Sequence, residues 1–168
     1  EDQIRLGERI VVKVNMVSVT KPLSGTHPEA LDAVLEFIRQ RTDREIVVAE
    51  GSAHADSMKG FEVYGLAKVA KRYGARLVEL NRDQWVEVKV VNRDLQRITL
   101  RFAQTVAESD CRISLTPMKT HDAVIVTLSL KNLVMGSLIS QGVANLDRLS
   151  HRLSHWVRPK DALYPRGL

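Results

Sequence analysis

Between Ser114 and Gly136 the chain sets proton-carrying and anion-holding groups among residues that ordinarily fill a core. The stretch Ser114-Leu-Thr-Pro-Met-Lys-Thr-His-Asp122 presents Lys119, Thr120 and His121 at the end of an apolar run. A histidine titrates near neutral pH, and Asp122 beside it offers an orienting carboxylate, the pairing that general acid–base work requires. The next apolar run is interrupted by Lys131-Asn132 and reaches Gly136. Amines and amides in such surroundings are costly to bury unless something pairs with them. His121 and Lys119 are therefore the candidate catalytic residues. Thr127 and Lys131 share a face whether their segment is a helix or a strand, because they are four apart and both odd-numbered. Two lysines and a histidine with Asp122 as the nearby acid would form a positive pocket. Its expected ligand is the carboxylate or phosphate group of a small metabolite.

Other polar groups gather where apolar runs stop. Those positions are Lys13 and Asn15, Glu50-Gly51-Ser52, Asn81, and Lys119-Thr120-His121. Ligands of open parallel sheets bind outside the carboxyl ends of the strands, so Lys13, Asn15, Glu50, Ser52, Asn81, Thr120, Thr127, Lys131 and Asn132 are the candidate ligand-binding residues. Alternation puts Lys13 on the face of Val11 and Asn15. A buried lysine must be paired, or its pKa must fall. Its plain structural alternative is a salt bridge to Glu50 on the neighbouring strand.

Further motifs are weak or missing. No Ser or Cys nucleophile motif accompanies His121, and neither GxGxxG nor a Walker A sequence occurs. His27 reads as a helix-start residue. His151 and His155 would share a helix face with Asp147 one turn earlier, which is half of a metal site, and His54-Ala-Asp56 is weaker still. No metal site is expected.

The composition narrows the classes. A chain of 168 residues fits one domain, or one and a fraction. The net charge is +5 and the pI about 9.6, which favours anionic partners. The basic residues are nevertheless interrupted, as with Arg39, Arg41 and Arg44 around Asp43, and aromatic residues are few. Nucleic-acid surfaces usually show a continuous basic stripe or stacking platforms, so nucleic acid is not an expected partner. No apolar stretch approaches the length of a membrane span and no signal-peptide pattern opens the chain, so no membrane association and a cytoplasmic location are expected. The start at Glu1 suggests a trimmed or partial product. Cys111 is the sole cysteine, so the cysteines of this chain alone cannot form a disulfide or ligate an iron–sulphur cluster.

The elements that must position these groups follow from the apolar runs. Arg9–Met16, Glu45–Gly51 and Ala75–Asn81 read as buried strands. A helix should start at Thr26-His-Pro-Glu29, read as a capping box with Pro in the first turn, and a second should run from Ser57 to Tyr73 with Gly74 as its stop. Trp85–Val91 alternates, and Ile98–Phe102 can pair with it. A helical turn over 104–109 precedes a strand at Cys111–Leu115. The length of Val124–Leu138 favours a helix, with a strand over Val124–Leu130 as the other reading. Pro117 should end the preceding strand and turn Lys119-Thr-His121 out at its carboxyl edge. The fold class is thus α/β, three-layer, with a mainly parallel, Rossmann-like sheet and an antiparallel β arm. Residues 1–138 form this domain, and 139–168 a helical or irregular tail.

Several motifs together carry a family resemblance. Lys13-Val-Asn15, Thr26-His27-Pro28, Ser109-Asp110 leading into Lys119-Thr120-His121, and Lys131-Asn132 before Gly136 resemble the prokaryotic domain-of-unknown-function family 362. Its KxN, T(H)P, (A/S)D…PK(L/M)KTH and KN…G motifs occur in the same order, and the likeness covers about Gly7 to Gly136. The family usually has a lysine where this chain has Thr116 or Pro117, and its members are typically longer, with a glycine-rich second half. Members often occur beside ferredoxin-type iron–sulphur modules. The resemblance therefore implies an iron–sulphur protein on another chain as one partner, and it names relatives without naming a reaction. Three roles stand open: a small-anion site with catalysis undecided, an accessory module of an iron–sulphur redox system, and a non-catalytic interaction or homo-oligomerisation domain.

Overall fold

The computed structural model describes residues 6–52, 55–91, 95–121 and 124–139. In chain order its elements are β1 (Ile10–Lys13), α1 (Pro28–Arg39), β2 (Ile46–Glu50), α2 (Ser57–Val63), α3 (Leu66–Arg72), β3 (Arg76–Glu79), β4 (Trp85–Val91), β5 (Arg97–Ala103), α4 (Gln104–Ala107), β6 (Cys111–Ser114), β7 (Lys119–His121), β8 (Val124–Thr127) and α5 (Ser129–Met135). Four strands form one parallel sheet in the order β3-β2-β1-β6, and β4 and β5 form a separate antiparallel pair. Helices cover both sides of the sheet. The result is the expected three-layer α/β fold with its antiparallel arm.

Alternation along the strands divides the core. Ile10, Val12, Ile46 and Val48 meet Leu31, Leu35 and Ile38 of α1, Phe61 of α2, and Leu66 and Val69 of α3. Val11, Val47 and Ala49 point the other way, toward Leu80, Ala103, Val106 and Ile139, with Leu133 of α5 packed on that cluster. Each buried aliphatic side chain contributes roughly 1.5–3 kcal/mol relative to exposure. In the arm, Val86, Val88, Val90, Ile98, Leu100 and Phe102 are half-buried on one face, while Glu87, Lys89, Arg97 and Arg101 are exposed on the other. Arg101 stacks over Trp85 at 4.4 Å, and Leu138 bridges antiparallel to Phe102.

Local chemistry changed four expectations. Thr26 does not cap α1, because its hydroxyl accepts from the Asn15 amide at 2.8 Å and donates to the Leu115 carbonyl at 2.6 Å. His27 takes the cap instead, with Nδ1 accepting from the Glu29 amide, and Pro28 opens the helix as expected. The single helix expected over Ser57–Tyr73 is broken at Gly65, whose φ of +71° no helix tolerates. Gly74 does stop the second half, at φ +63°. The segment from Val124 is neither all helix nor all strand. It is β8 followed by α5, and Lys119–His121 is not a bare strand end but β7, paired antiparallel with β8.

Asp110 ties the start of β1 to the start of β6. Its Oδ2 accepts from the Glu8 and Arg9 amides at 3.2 and 2.9 Å. The Arg9 amide, the Arg9 guanidinium and, more weakly, the Glu8 amide hold its carboxyl below the usual aspartate range. A carboxylate with a depressed folded pKa contributes stability above its unfolded pKa and loses it as pH falls through the folded value. The stability difference between wild type and Asp110→Asn should therefore shrink as pH falls from about 5 to about 2. Urea titrations across that range measure it, and a constant difference would remove the interaction from the account.

Candidate functional site

β1 is the topological switch of the sheet. The chain leaves it on one side to build β2 and β3, then returns on the other to add β6. The carboxyl ends of β1 and β6 therefore diverge into a crevice where open α/β sheets place ligands. The residues found there are the polar ones of the sequence motifs.

Lys13 and Glu50 belong by alternation to opposite faces of the sheet, Lys13 with Val11 and Glu50 with Val48. Each is the last residue of its strand, so their side chains can meet over the carboxyl edge. Lys13 Nζ lies 3.0 Å from Glu50 Oε1, and both side chains are almost wholly buried. The same amine donates to the Val14 carbonyl at 2.9 Å and to Asn132 Oδ1 at 3.2 Å. An ammonium has three protons, and all three are engaged. Lys13 therefore holds Glu50 and leaves no N–H for a ligand, as the structural alternative anticipated. Burial pulls the Lys13 amine below the usual lysine range and pushes the Glu50 carboxyl up, while their mutual attraction opposes both shifts.

Asn132 joins this pair to β6. Its amide nitrogen donates to the Lys13 carbonyl at 3.2 Å and to Ser114 Oγ at 3.1 Å, and Ser114 Oγ donates to the Ser129 carbonyl at 2.9 Å. One amide thus spans the last residues of two strands that are paired in register. Gly136 makes room for the assembly, since a Cβ there would stand 2.7 Å from Lys13 Nζ and 2.5 Å from the Asn132 carbonyl. Gly51 in turn packs against the Gly136 carbonyl. The KxN and KN…G motifs thus mark one buried cluster.

Lys119 enters from the β7–β8 pair. Its amine is partly buried, which lowers its pKa, and the Glu50 carboxylate opposes that shift by attraction. Thr127, buried, faces Lys119 in the strand register. Thr120 is exposed on the alternate position of β7. Lys131 sits beside Asn132 on α5 and is half-buried, so the face it was expected to share with Thr127 is divided between a helix and a strand. His121 closes β7 opposite Val124. Its side chain and all of Asp122 lie outside the described residues, as do His54, Asp147, His151 and His155.

Ser52 and Asn81 hold backbone. The Ser52 amide and hydroxyl bond to Ser57 Oγ and the Ala55 amide, and Asn81 Nδ2 donates to the Ser52 carbonyl at 2.7 Å. Asn15 is held through its own backbone by Thr26. Ser114, Gly51 and Gly136 were not among the residues expected to build the site. Ser114 opens the polar stretch and Gly136 ends the KN…G motif, so the signals were there, without the close approach that gives them meaning. Among the described residues no three His, Cys, Asp or Glu side chains converge to hold a metal ion. A cavity of about 90 Å³ lies at the opposite, amino end of the sheet, lined by Arg9, Glu45, Arg76 and Glu108 among others. Arg76 is bonded to Glu45 and Arg9 approaches Glu108, so that cavity is walled by charges already paired.

The fold and this edge define an α/β protein with a buried lysine–carboxylate–amide cluster at its topological switch. The chain belongs to the family described as domain of unknown function (DUF362), whose model matches residues 10–155. That match includes every motif of the cluster and runs beyond Gly136, where the resemblance was expected to fade. No curated protein and no solved structure matches the chain. No helix among the described residues is long and apolar enough to cross a membrane.

Proposed function

We propose that the carboxyl edge binds a small carboxylate or phosphate compound, with Lys119 as the amine that meets it. One observation supports this most. Lys13 is paired with Glu50 at 3.0 Å, and Lys119, partly buried on β7, feels the attraction of the same carboxylate. Two cations against one anion leave a surplus positive charge at the switch of the sheet, partly withdrawn from water, where an anion is worth more than at an open surface. Lys131 on α5 and Thr127 on β8 are near in the chain order of the same edge, and His121 at the end of β7 would be the proton carrier if a reaction takes place there. The Lys13–Glu50–Asn132 cluster then fixes the edge and supplies its field without touching the ligand.

Thermal unfolding tests this reading. Phosphate and succinate should raise the melting temperature saturably, while chloride at equal ionic strength should not. A ligand at a hundred times its Kd adds about 2.7 kcal/mol. Lys119→Met should abolish that gain while changing the unliganded stability by less than about 1 kcal/mol, as expected for a partly exposed lysine. An equal gain in the variant would move the site away from Lys119.

A second reading has its own support. Met118 and Leu130, exposed by 80% and 76%, flank Lys119 and Lys131 in sequence, as an interaction domain would have them. An accessory role beside an iron–sulphur protein is one form of that reading, and concentration-dependent self-association is the other.

A further inference from the structure

The antiparallel arm has one edge that no strand among the described residues covers. β5 pairs with β4 over all seven residues on one side. On its other side the Ala103 amide donates to the Ser137 carbonyl at 2.8 Å, and the Arg101 carbonyl accepts from the Ile139 amide at 3.0 Å. β4 has β5 alone. Native sheets usually blunt an open edge with a proline, a bulge, an inward-pointing charge or a very short strand. Trp85-Val-Glu-Val-Lys-Val-Val91 has no proline and no register shift against β5, and its charges, Glu87 and Lys89, are exposed. The bonds of β5 also fix which groups of β4 face the open side. Arg101 and Ala103 direct their backbone away from β4, so Phe102, Leu100 and Ile98 are the residues that bond to their opposites, Val86, Val88 and Val90. The N–H and C=O groups of Trp85, Glu87, Lys89 and Val91 therefore point outward.

We infer that β4 pairs with β4 of a second copy of this chain, antiparallel about a two-fold axis at Val88, to build a four-stranded sheet in the order β5-β4-β4-β5. The outward backbone groups then match, since each of the four residues meets another of the four. Glu87 stands opposite Lys89 of the partner subunit, and Lys89 opposite Glu87 of the partner subunit. Trp85 and Val91, exposed by 41% and 45%, meet across the same face, while Val86, Val88 and Val90 meet valines on the other. Charge selects this register. A slip of two residues sets Glu87 against Glu87 or Lys89 against Lys89, and a slip of one sets the charged face against the valine face. An isologous contact of this kind closes on itself and leaves no edge for a third copy. The inference rests on the self-association form of the second reading, gives it a surface, and stands apart from the anion site.

Sedimentation velocity of the 168-residue chain over a dilution series measures the association. A species of twice the 18.9 kDa chain mass is expected at about 100 μM, where a micromolar Kd leaves little monomer. Glu87→Lys sets lysine against lysine twice, and Lys89→Glu sets acid against acid twice, so each should weaken the dimer about tenfold. Both positions are exposed, and neither change disturbs the core. An equal mixture of the two variants should recover the wild-type Kd, because every facing pair is then again of unlike charge. A monomeric wild type at that concentration overturns the inference. Dimers that both variants leave intact, or that mixing does not restore, overturn this surface and leave self-association elsewhere on the chain. Val88→Cys, in a Cys111→Ser background, tests the axis. Val88 would face itself in a non-hydrogen-bonded pair with Cα atoms about 4.5 Å apart, within reach of a disulfide, so mild oxidation should give a covalent dimer. A chain that dimerises without that cross-link overturns the two-fold at Val88.

Discussion

Lys13→Met is expected to cost about 3–5 kcal/mol of folding stability, the usual penalty for removing one partner of a buried ion pair. Methionine fills the volume of the lysine stem, so packing changes little. Glu50 loses its cation at 3.0 Å and Asn132 loses the donor to its Oδ1. The double variant Lys13→Met/Glu50→Leu should recover much of the loss, because two apolar groups leave no charge stranded. Urea unfolding of the two single variants and the double variant gives the coupling between the positions. A loss below about 1 kcal/mol in Lys13→Met would mean that Glu50 is already neutral without its partner.

Gly136→Ala should be the most damaging small change at the site. The added Cβ falls 2.5 Å from the Asn132 carbonyl and 2.7 Å from Lys13 Nζ. A surface lysine would swing aside, but this one is buried and bonded three ways, so the backbone at the end of α5 must move instead. Overpacking of this kind typically costs 1–3 kcal/mol, occasionally more. The effect should not stay local, since Gly51 packs on the Gly136 carbonyl. Thermal melts, with amide exchange of Gly51 and Asn132 as the site readout, check both statements. Wild-type exchange at Gly51 would show that the two glycines are not coupled.

The parallel sheet was legible because its strands are continuous β-branched runs, Ile10-Val-Val and Ile46-Val-Val, with helical periodicity between them. The arm was legible from the alternation of Trp85–Val91. Local pattern failed where tertiary bonds compete with it. Thr26 is a good cap by type, yet its hydroxyl is taken by Asn15 and Leu115 from other parts of the chain. Val124–Met135 is mostly apolar, broken by Thr127, Ser129 and Lys131-Asn132, and such runs do not tell strand from helix. Only the pairing of Thr127 with Lys119 settles it as a hairpin followed by a helix. Lys13 with Glu50 was readable as a pair because both end buried strands. The third member, Asn132, could be suspected as a polar residue in apolar sequence but could not be placed, since nothing local says that it reaches β1 and β6 at once.

β1 is made first and completed last. Its second neighbour, β6, follows only after β2, β3 and the arm, and the Asn132 oxygen that takes a Lys13 proton lies 119 residues downstream. At about 5–20 residues per second, a ribosome needs roughly 6–24 s to synthesise that interval. Until β6 emerges within that interval, the nascent chain has Ile10-Val-Val-Lys13 at an unpaired sheet edge, the kind of surface on which chains aggregate. Nascent chains arrested between β3 and β6 should therefore carry the heaviest chaperone load, and release of that load should coincide with the appearance of α5 outside the exit tunnel.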